Sequence, residues 1–561
     1  MANLSQERRL RMLSFLETLR KNNQDDVSSL RAINEIEQAL NEKKYGLEWE
    51  EHSERVDEAA RENILVFSED FERKITADLQ KPYNFLLEGD NLHSLKLLKK
   101  TYRNRIDIIY IDPPYNRGKK DFRYNDKYVD KDDLYKHSKW LSFMSKRLEI
   151  ARSLLNREGV IFISIDDNEN APLKMLCDEI FGDKNFIAQL IVASNSSKNN
   201  SNYVSVSHEY ILCYARDIAV LPSGWRVPKQ QIKVYEQKAN QLIANGLTSE
   251  EIHKELLRLV KYPRFYDFDH FTYADENGVY QTDNPGGVKN GNKETILYHP
   301  ITKKPCASPA GGWRYKEETL LQLLKDNQIA FGEDETIVPR IKRYLHDYKE
   351  QVPKSIMFFD SQSTTKWLKS KKISFEFPKA LDLIKQVLSF TQNKSAIILD
   401  FFAGSGTVGH AVVKLNKEDG GTRRYILCTD NENNIASDVT YKRLKVIQNE
   451  FPHNIKYLRT DLIKKADNES LLYELLPHIK SLVELDYACN LDDSSIRIFL
   501  TEDEFDMFME DNEDITLKRV FLASDIFMSS EQEQKLAEAN CEIIRIPEYY
   551  YRDELIETGD I

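Results

Sequence analysis

Two short apolar runs in this chain each end abruptly at a turn of unusual chemistry. Ile106–Ile111 (IDIIYI) leads into Asp112-Pro113-Pro114-Tyr115, and Ala396–Asp400 (AIILD) leads into Phe401-Phe402-Ala403-Gly404-Ser405-Gly406-Thr407. Apolar runs with so little polar alternation predict strands buried on both faces, as in parallel sheets covered by helices. Strand and helix candidates alternate around both runs. The strand Asn84–Glu88 precedes a helix carrying Leu92, Leu95 and Leu98, and a helix through Trp140 to Leu155 precedes Gly159–Ile165. After the second turn a helix reaches about Leu415 and is followed by Arg424–Thr429. This order predicts an α/β protein.

A length of 561 residues implies several units. Residues 1–80 read as an N-terminal helical region, with Leu10, Leu13, Leu16 and Leu19 at three-residue steps. Residues 81–194 and 355–450 carry the two motifs, one on each side of an insert, 195–354, that is rich in Asn, Ser, Gly and Tyr. Residues 451–561 form an acidic tail with further strand candidates at Ile496–Leu500 and Arg519–Ala523, read as a small C-terminal α/β domain for dimer or partner contact. From Glu450 onward there are 11 Lys+Arg and 27 Asp+Glu, or −16. The chain total is −12, so the remainder carries +4 and DNA is not excluded as a partner. No stretch approaches the ~18 apolar residues of a membrane span. The six cysteines form no CxxC pair, and neither HExxH nor clustered His/Cys ligands occur. The expectation is a cytoplasmic protein without membrane contact, disulfide scaffold or metal.

Two prolines stiffen the first turn and remove N–H donors, so the Asp112 carboxylate and the Pro113 carbonyl can converge as acceptors for a planar amino group. Tyr115 supplies a flat face for a base. In the second turn, Gly404 and Gly406 let the backbone approach a ligand ahead of a helix N-terminus. It is not a Walker A loop, since no Gly-Lys-Ser/Thr follows, and it lacks full GxGxxG spacing. The next strand ends at Asp430-Asn431-Glu432, where Asp430 or Glu432 could accept hydrogen bonds from a ribose diol.

DPPY followed by FAGSGT, with a long insert between, resembles the DNA amino-methyltransferases of β arrangement, in which the catalytic half precedes the S-adenosylmethionine half. Trp140-Leu141-Ser142-Phe143-Met144, Ile163-Ser164-Ile165-Asp166-Asp167-Asn168-Glu169 and Asn431-Glu432-Asn433-Asn434-Ile435 extend the likeness to the Mod subunits of type III restriction–modification systems. Arg117 departs from the Thr expected after DPPYN. The resemblance implies a circularly permuted Rossmann-like class I methyltransferase sheet with an inserted target-recognition domain. It implies catalysis of adenine N6 methylation by Asp112, Pro113, Pro114 and Tyr115 on a flipped-out base. S-adenosylmethionine would be bound by Asp90, Phe377, Asp400, Phe402, Ala403, Gly404, Ser405, Gly406, Thr407 and Asp430 or Glu432, with a helix over Lys379–Leu388 beside the methionine. Phe85–Glu88 would sit next to the cofactor strands. Double-stranded DNA would be met by Asn116 and by Lys198, Arg226, Lys229, Arg264, Lys289, Arg340, Lys342 and Arg343 of the insert. A homodimer and a Res helicase–nuclease partner are implied as well. The alternatives are a solitary methyltransferase of adenine N6 or cytosine N4, and a non-catalytic DNA-recognition subunit.

Overall fold

The computed structural model describes residues 4–22, 30, 31, 33, 34, 36, 37, 49–118, 121–125, 127–194, 203–229, 231–360, 362–465, 471–512, 515–547 and 550. At its centre is a ten-stranded sheet whose strands come from most of the chain. They are β1 (Asn63–Glu69), β2 (Tyr83–Glu88), β3 (Ile106–Ile111), β4 (Leu155–Ile165), β5 (Phe186–Ser194), β6 (His208–Ala215), β7 (Ile356–Phe359), β8 (Ile397–Asp400), β9 (Arg424–Thr429) and β10 (Asn454–Lys464). Their spatial order is β1-β10-β2-β9-β8-β3-β4-β6-β5-β7. Every strand runs parallel except β6, antiparallel to both neighbours, and the edge strand β1.

The central strands are buried on both faces, as their composition demands. In β3, Ile109 and Ile111 point to one helical layer while Ile108 and Tyr110 point to the other, the two-residue period of a strand. The first layer contains α1 (Asn91–Thr101) and α2 (Lys136–Leu154), packed through Leu95, Leu98, Met144 and Leu148. The second contains α3 (Leu381–Ser389) and α4 (Thr407–Asp419), packed through Leu383, Val387, Val408 and Val412. Each such buried side chain contributes about 1.5–3 kcal/mol of hydrophobic stabilisation.

The two sequence halves interleave. β8 lies between β3 and β9, with Ile398 opposite Ile108 on one side and Tyr425 on the other. β2 lies beside β9, from Phe85 opposite Ile426 to Glu88 opposite Thr429. This is the permuted α/β methyltransferase sheet, with the N-terminal half supplying the strand next to the glycine-turn strands.

Several boundaries differ from the sequence reading. The insert does not begin at 195. The polar run 195–202 lies outside the described residues, and the chain leaves the sheet only after Ala215 and returns at Ile356. Buried Ile211, Leu212, Cys213 and Tyr214 hold β6 in the large sheet. The region expected to be helical, 1–80, also supplies β1, because Ile64, Val66 and Phe67 are buried against β10. β10 in turn moves the start of the C-terminal unit beyond Lys464. That unit is a three-stranded parallel sheet (Ile496–Phe499, Arg519–Leu522, Glu542–Arg545) with helices Glu502–Asp511 and Ser530–Glu538. The helix placed at Lys379–Leu388 begins at Leu381, so Lys379 lies in the preceding turn. The insert folds around a four-stranded antiparallel sheet ordered Tyr273–Asp275, Gly278–Asp283, Arg340–Tyr344, Ile329–Ala330. Among the described residues no helix is long and apolar enough to cross a membrane.

Candidate active site

Neighbouring parallel strands β2, β9, β8 and β3 finish at one edge of the sheet, and each finishes in or beside a carboxylate: Asp90, Asp430, Asp400 and Asp112. Ligands of open α/β sheets bind outside the carboxyl ends of such strands.

The Asp-Pro-Pro-Tyr turn is fixed from several directions. Trp140 of α2, fully buried, donates its indole N–H to the Pro114 carbonyl at 2.7 Å. Beneath the turn, the hydroxyls of Tyr110 and Ser164 meet at 2.7 Å. Tyr115 donates its hydroxyl to Glu209 Oε2 at 3.2 Å and accepts from Lys379 Nζ at 2.6 Å. Lys379 also donates to both carboxylate oxygens of Glu209 at 2.8 Å, and its ammonium lies 3.3 Å from Asp112 Oδ1. Burial pushes the Asp112 carboxyl above the ordinary range; Lys379 opposes the shift and Glu209 adds to it. For Lys379, burial alone would weaken the ammonium, but its attraction to Asp112 and Glu209 outweighs this and raises it. Asp400 is raised well above a usual carboxyl by burial, and it accepts from the Phe402 N–H at 3.0 Å.

The ring of Tyr115 is only 8% exposed, and the Arg117 guanidinium stands over it at 4.8 Å, held by an ion pair from its Nε to Asp166 at 2.7 Å. The face expected to receive a base is therefore covered by Arg117 in this conformation. Asn116, expected to meet DNA, is buried instead. Its positive φ of 58° turns the amide inward to donate to Glu169 at 2.6 Å and to the Lys136 carbonyl at 3.1 Å.

The glycine turn has the strained geometry its sequence implies. Gly404 and Gly406 have φ of 47° and 71°. A Cβ on Gly404 would stand 3.2 Å from Phe375, and one on Gly406 would stand 3.0 Å from Thr440. The Ala403 N–H donates to the Cys428 carbonyl at 3.0 Å, tying the turn to β9, and Asn91 donates to the Phe401 carbonyl at 2.9 Å. Phe402 packs against Phe143 of α2, their ring centroids 5.9 Å apart. Ser405 and Thr407, expected among the cofactor-binding residues, are buried with their hydroxyls 3.1 Å apart. Both accept from Arg443, at 3.0 and 2.8 Å, and this fully buried guanidinium also reaches the Ser405 carbonyl at 3.2 Å. Burial pushes Arg443 down to about 9.

Asp90 caps α1 by accepting from the Leu92 N–H at 2.7 Å, lies 3.6 Å from the Arg147 guanidinium, and keeps part of its side chain exposed. Asp430 accepts from the Glu432 N–H at 3.1 Å, whereas the Glu432 carboxylate is paired with Arg123 at 2.7 Å. Phe377 has φ of 55° and is 85% exposed, standing out of the wall just before Pro378.

Of the insert cations, Arg226, Arg264, Lys289 and Arg340 are exposed, and Lys198 lies outside the described residues. Three others are engaged internally. Lys342 is 9% exposed and paired with Asp275 at 2.7 Å. Arg343 donates to the Tyr315 hydroxyl at 2.6 Å, and Lys229 lies over Phe271 at 4.5 Å. These internal partners leave Lys342 in particular no free face for phosphate. Glu209 is the site residue that sequence reasoning missed, since it sits in no motif, while Lys379, expected only as the first residue of the helix beside the methionine, reaches Asp112. Among the described residues no group of three or more His, Cys, Asp or Glu is placed to hold a metal.

Comparison with known proteins gives a consistent result. The family model described as DNA methylase matches residues 106–440. The EcoP15I Mod subunit, a type III restriction–modification enzyme of Escherichia coli, is 31% identical over 514 residues, covering 86% of this chain and 79% of that protein. The StyLTI Mod subunit of Salmonella typhimurium is 33% identical over 426 residues, covering 70% of this chain and 60% of its own length. The type II methyltransferase M.KpnI of Klebsiella pneumoniae is 31% identical over 435 residues, covering 73% and 99% respectively.

Proposed function

Since the chain belongs to the DNA methylase family, as a relative of type III Mod subunits, we propose that it methylates the exocyclic N6 of adenine within a specific DNA sequence. The carrying observation is Asp112 Oδ1, a buried acceptor aligned with no hydrogen-bond donor, at the meeting point of the Asp-Pro-Pro-Tyr and glycine turns. Such an atom suits an incoming amino group.

The cleft fits S-adenosylmethionine. Gly404 and Gly406 hold positive φ and carry no side chain, so the backbone of the turn can approach a ligand. Asp90 offers an acceptor for the adenine amino group, and Asp430 is the freer of two carboxylates for the ribose diol, because Glu432 is paired with Arg123. The gathered carboxylates favour a cationic donor. When bound, the cofactor supplies a methyl group on a sulfonium.

The amino nitrogen of adenine is a poor nucleophile because its lone pair is delocalised into the ring. Acceptance of its hydrogens by Asp112 and the Pro113 carbonyl favours a more tetrahedral nitrogen with an available lone pair. As the methyl group passes to nitrogen its bond to the sulfonium sulfur breaks, leaving a neutral thioether, and the positive charge that develops on nitrogen is stabilised by Asp112 beside it until one amino proton is lost to water. The base must leave the duplex to reach the turn. Arg117 must then swing off the Tyr115 ring for the two rings to stack. The insert, with Arg226, Arg264, Lys289 and Arg340 exposed, reads the sequence. On this reading the protein acts in the bacterial cytoplasm as a homodimer and joins a restriction subunit.

The test is transfer of labelled methyl from S-adenosylmethionine to DNA, followed by digestion to nucleosides. Label in N6-methyladenine supports the proposal. Label in N4-methylcytosine would move the same chemistry to the other base, and unlabelled DNA would leave the recognition-subunit reading.

A further inference from the structure

The mechanism above makes no use of the ion pair at the centre of the site. Lys379 reaches in from the turn before α3, its side chain 13% exposed, while Glu209 comes from β6, on the far side of β4 from Asp112. The ammonium divides its interactions unequally. Its hydrogen bonds go to Glu209, at 2.8 Å to each oxygen, and to Tyr115, at 2.6 Å. Asp112 is the more distant partner: Oδ1 is 3.3 Å from Nζ, outside the alignment of a regular hydrogen bond. A cation so placed stabilises a carboxylate without occupying the lone pair that the target amino group needs.

Of the other groups facing Asp112, the Tyr115 hydroxyl favours its ionisation through a hydrogen bond but carries no charge, and the neighbouring carboxylates work against it. Tyr110 and Tyr115, on its own segment, have phenols raised well above the ordinary value by burial, so they stay uncharged. Asp400 from β8 and Glu209 from β6 bring negative charge towards it. Arg117 stands over the Tyr115 ring and is paired with Asp166. Among the described residues Lys379 is the one cation within ion-pair distance of Asp112.

We infer that Lys379 is a positioning residue for methyl transfer: anchored by Glu209, it keeps Asp112 ionised while leaving its acceptor oxygen free for the target amino group. The inference rests on the reading of Asp112 as that acceptor.

The test is the single-turnover transfer rate of the full chain on target DNA between about pH 5 and about pH 9, with DNA and cofactor saturating. An acidic Asp112 requires the rate to fall at low pH. In Lys379→Met the fall moves upward by about one to two pH units and the rate recovers in alkaline buffer, while Lys379→Arg keeps the fall near its original place. Glu209→Gln removes a neighbouring anion and frees the ammonium for Asp112, so its fall moves downward. Binding of S-adenosylhomocysteine by both variants stays within about twofold of the unaltered protein. Opposite displacement by the two substitutions supports the inference. Loss of rate in Lys379→Met at every pH, without displacement in Glu209→Gln, overturns it, as does displacement of both in one direction. Full activity in Asp112→Ala would instead remove the underlying reading of the acceptor. If Lys379→Met does not fold, the direction of the Glu209→Gln displacement decides alone.

Discussion

The indole N–H of Trp140 donates to the carbonyl of Pro114 across 2.7 Å, joining the buried face of α2 to the turn that ends β3. The prolines remove donors from this turn, so it holds its shape through groups supplied by neighbours, of which Trp140 is one. Replacement by Phe keeps most of the apolar volume but leaves a carbonyl without its donor, a loss of about 1–3 kcal/mol where the group is buried. Trp140→Phe is therefore expected to slow methyl transfer about tenfold or more while cofactor affinity changes little, since the glycine turn lies on another strand. Stopped-flow transfer rates and a cofactor titration separate the two effects.

Asp112→Ala removes the acceptor itself, and a fall in transfer of at least about 100-fold is expected, with cofactor binding retained. Tyr115→Phe keeps the ring but removes the hydroxyl that links Glu209 and Lys379. It should cost less than Tyr115→Ala, which also loses base stacking worth about 1–3 kcal/mol. Equal rates for the two Tyr115 variants would show that the ring does not stack on the target.

Gly406→Ala tests the second turn. Its φ of 71° is unfavourable for a side chain by about 1–2 kcal/mol, and the added Cβ would press on Thr440 at 3.0 Å. The variant should melt a few degrees lower and bind S-adenosylhomocysteine several-fold more weakly, as read by thermal unfolding and calorimetry. Unchanged affinity would remove this backbone from the cofactor site.

His453 gives a pH dependence of stability. Its ring is buried between the Phe451 carbonyl at 2.6 Å and the Tyr425 hydroxyl at 2.9 Å, and burial pushes it down to about 4. The unfolded chain takes up this proton near its ordinary value of about 6.5, so acidification between those two values favours unfolding by up to about 1.4 kcal/mol per pH unit. Below about 4 the folded ring is protonated too and the contribution levels off. The melting temperature of the unaltered protein should fall more steeply from about pH 6.5 to about pH 5 than that of His453→Asn. Equal slopes would contradict this.

The strands were legible because each motif sits where an apolar run ends, and a parallel sheet brings such ends together. That logic placed β2 beside β9 and Asp112 near the glycine turn. The roles of Lys379 and Glu209 at Asp112 were not legible: a lysine after a proline and a glutamate on an ordinary strand gain meaning only when β6 and the turn before α3 converge on Asp112. The engagement of the Ser405 and Thr407 hydroxyls was not legible for a related reason, because their partner Arg443 is distant in sequence. The insert boundary slipped because the polar link between β5 and β6 has the composition of a domain start, although the strand after it belongs to the large sheet.

The central claim, sequence-specific adenine methylation by this chain, is tested most directly by modification-sensitive single-molecule sequencing of DNA from a methylation-free bacterial host expressing it alone. N6-methyladenine is expected at one short sequence, on one strand of an asymmetric site, and none in a host expressing Asp112→Ala. Absence of the mark, or its persistence with Asp112→Ala, would contradict it.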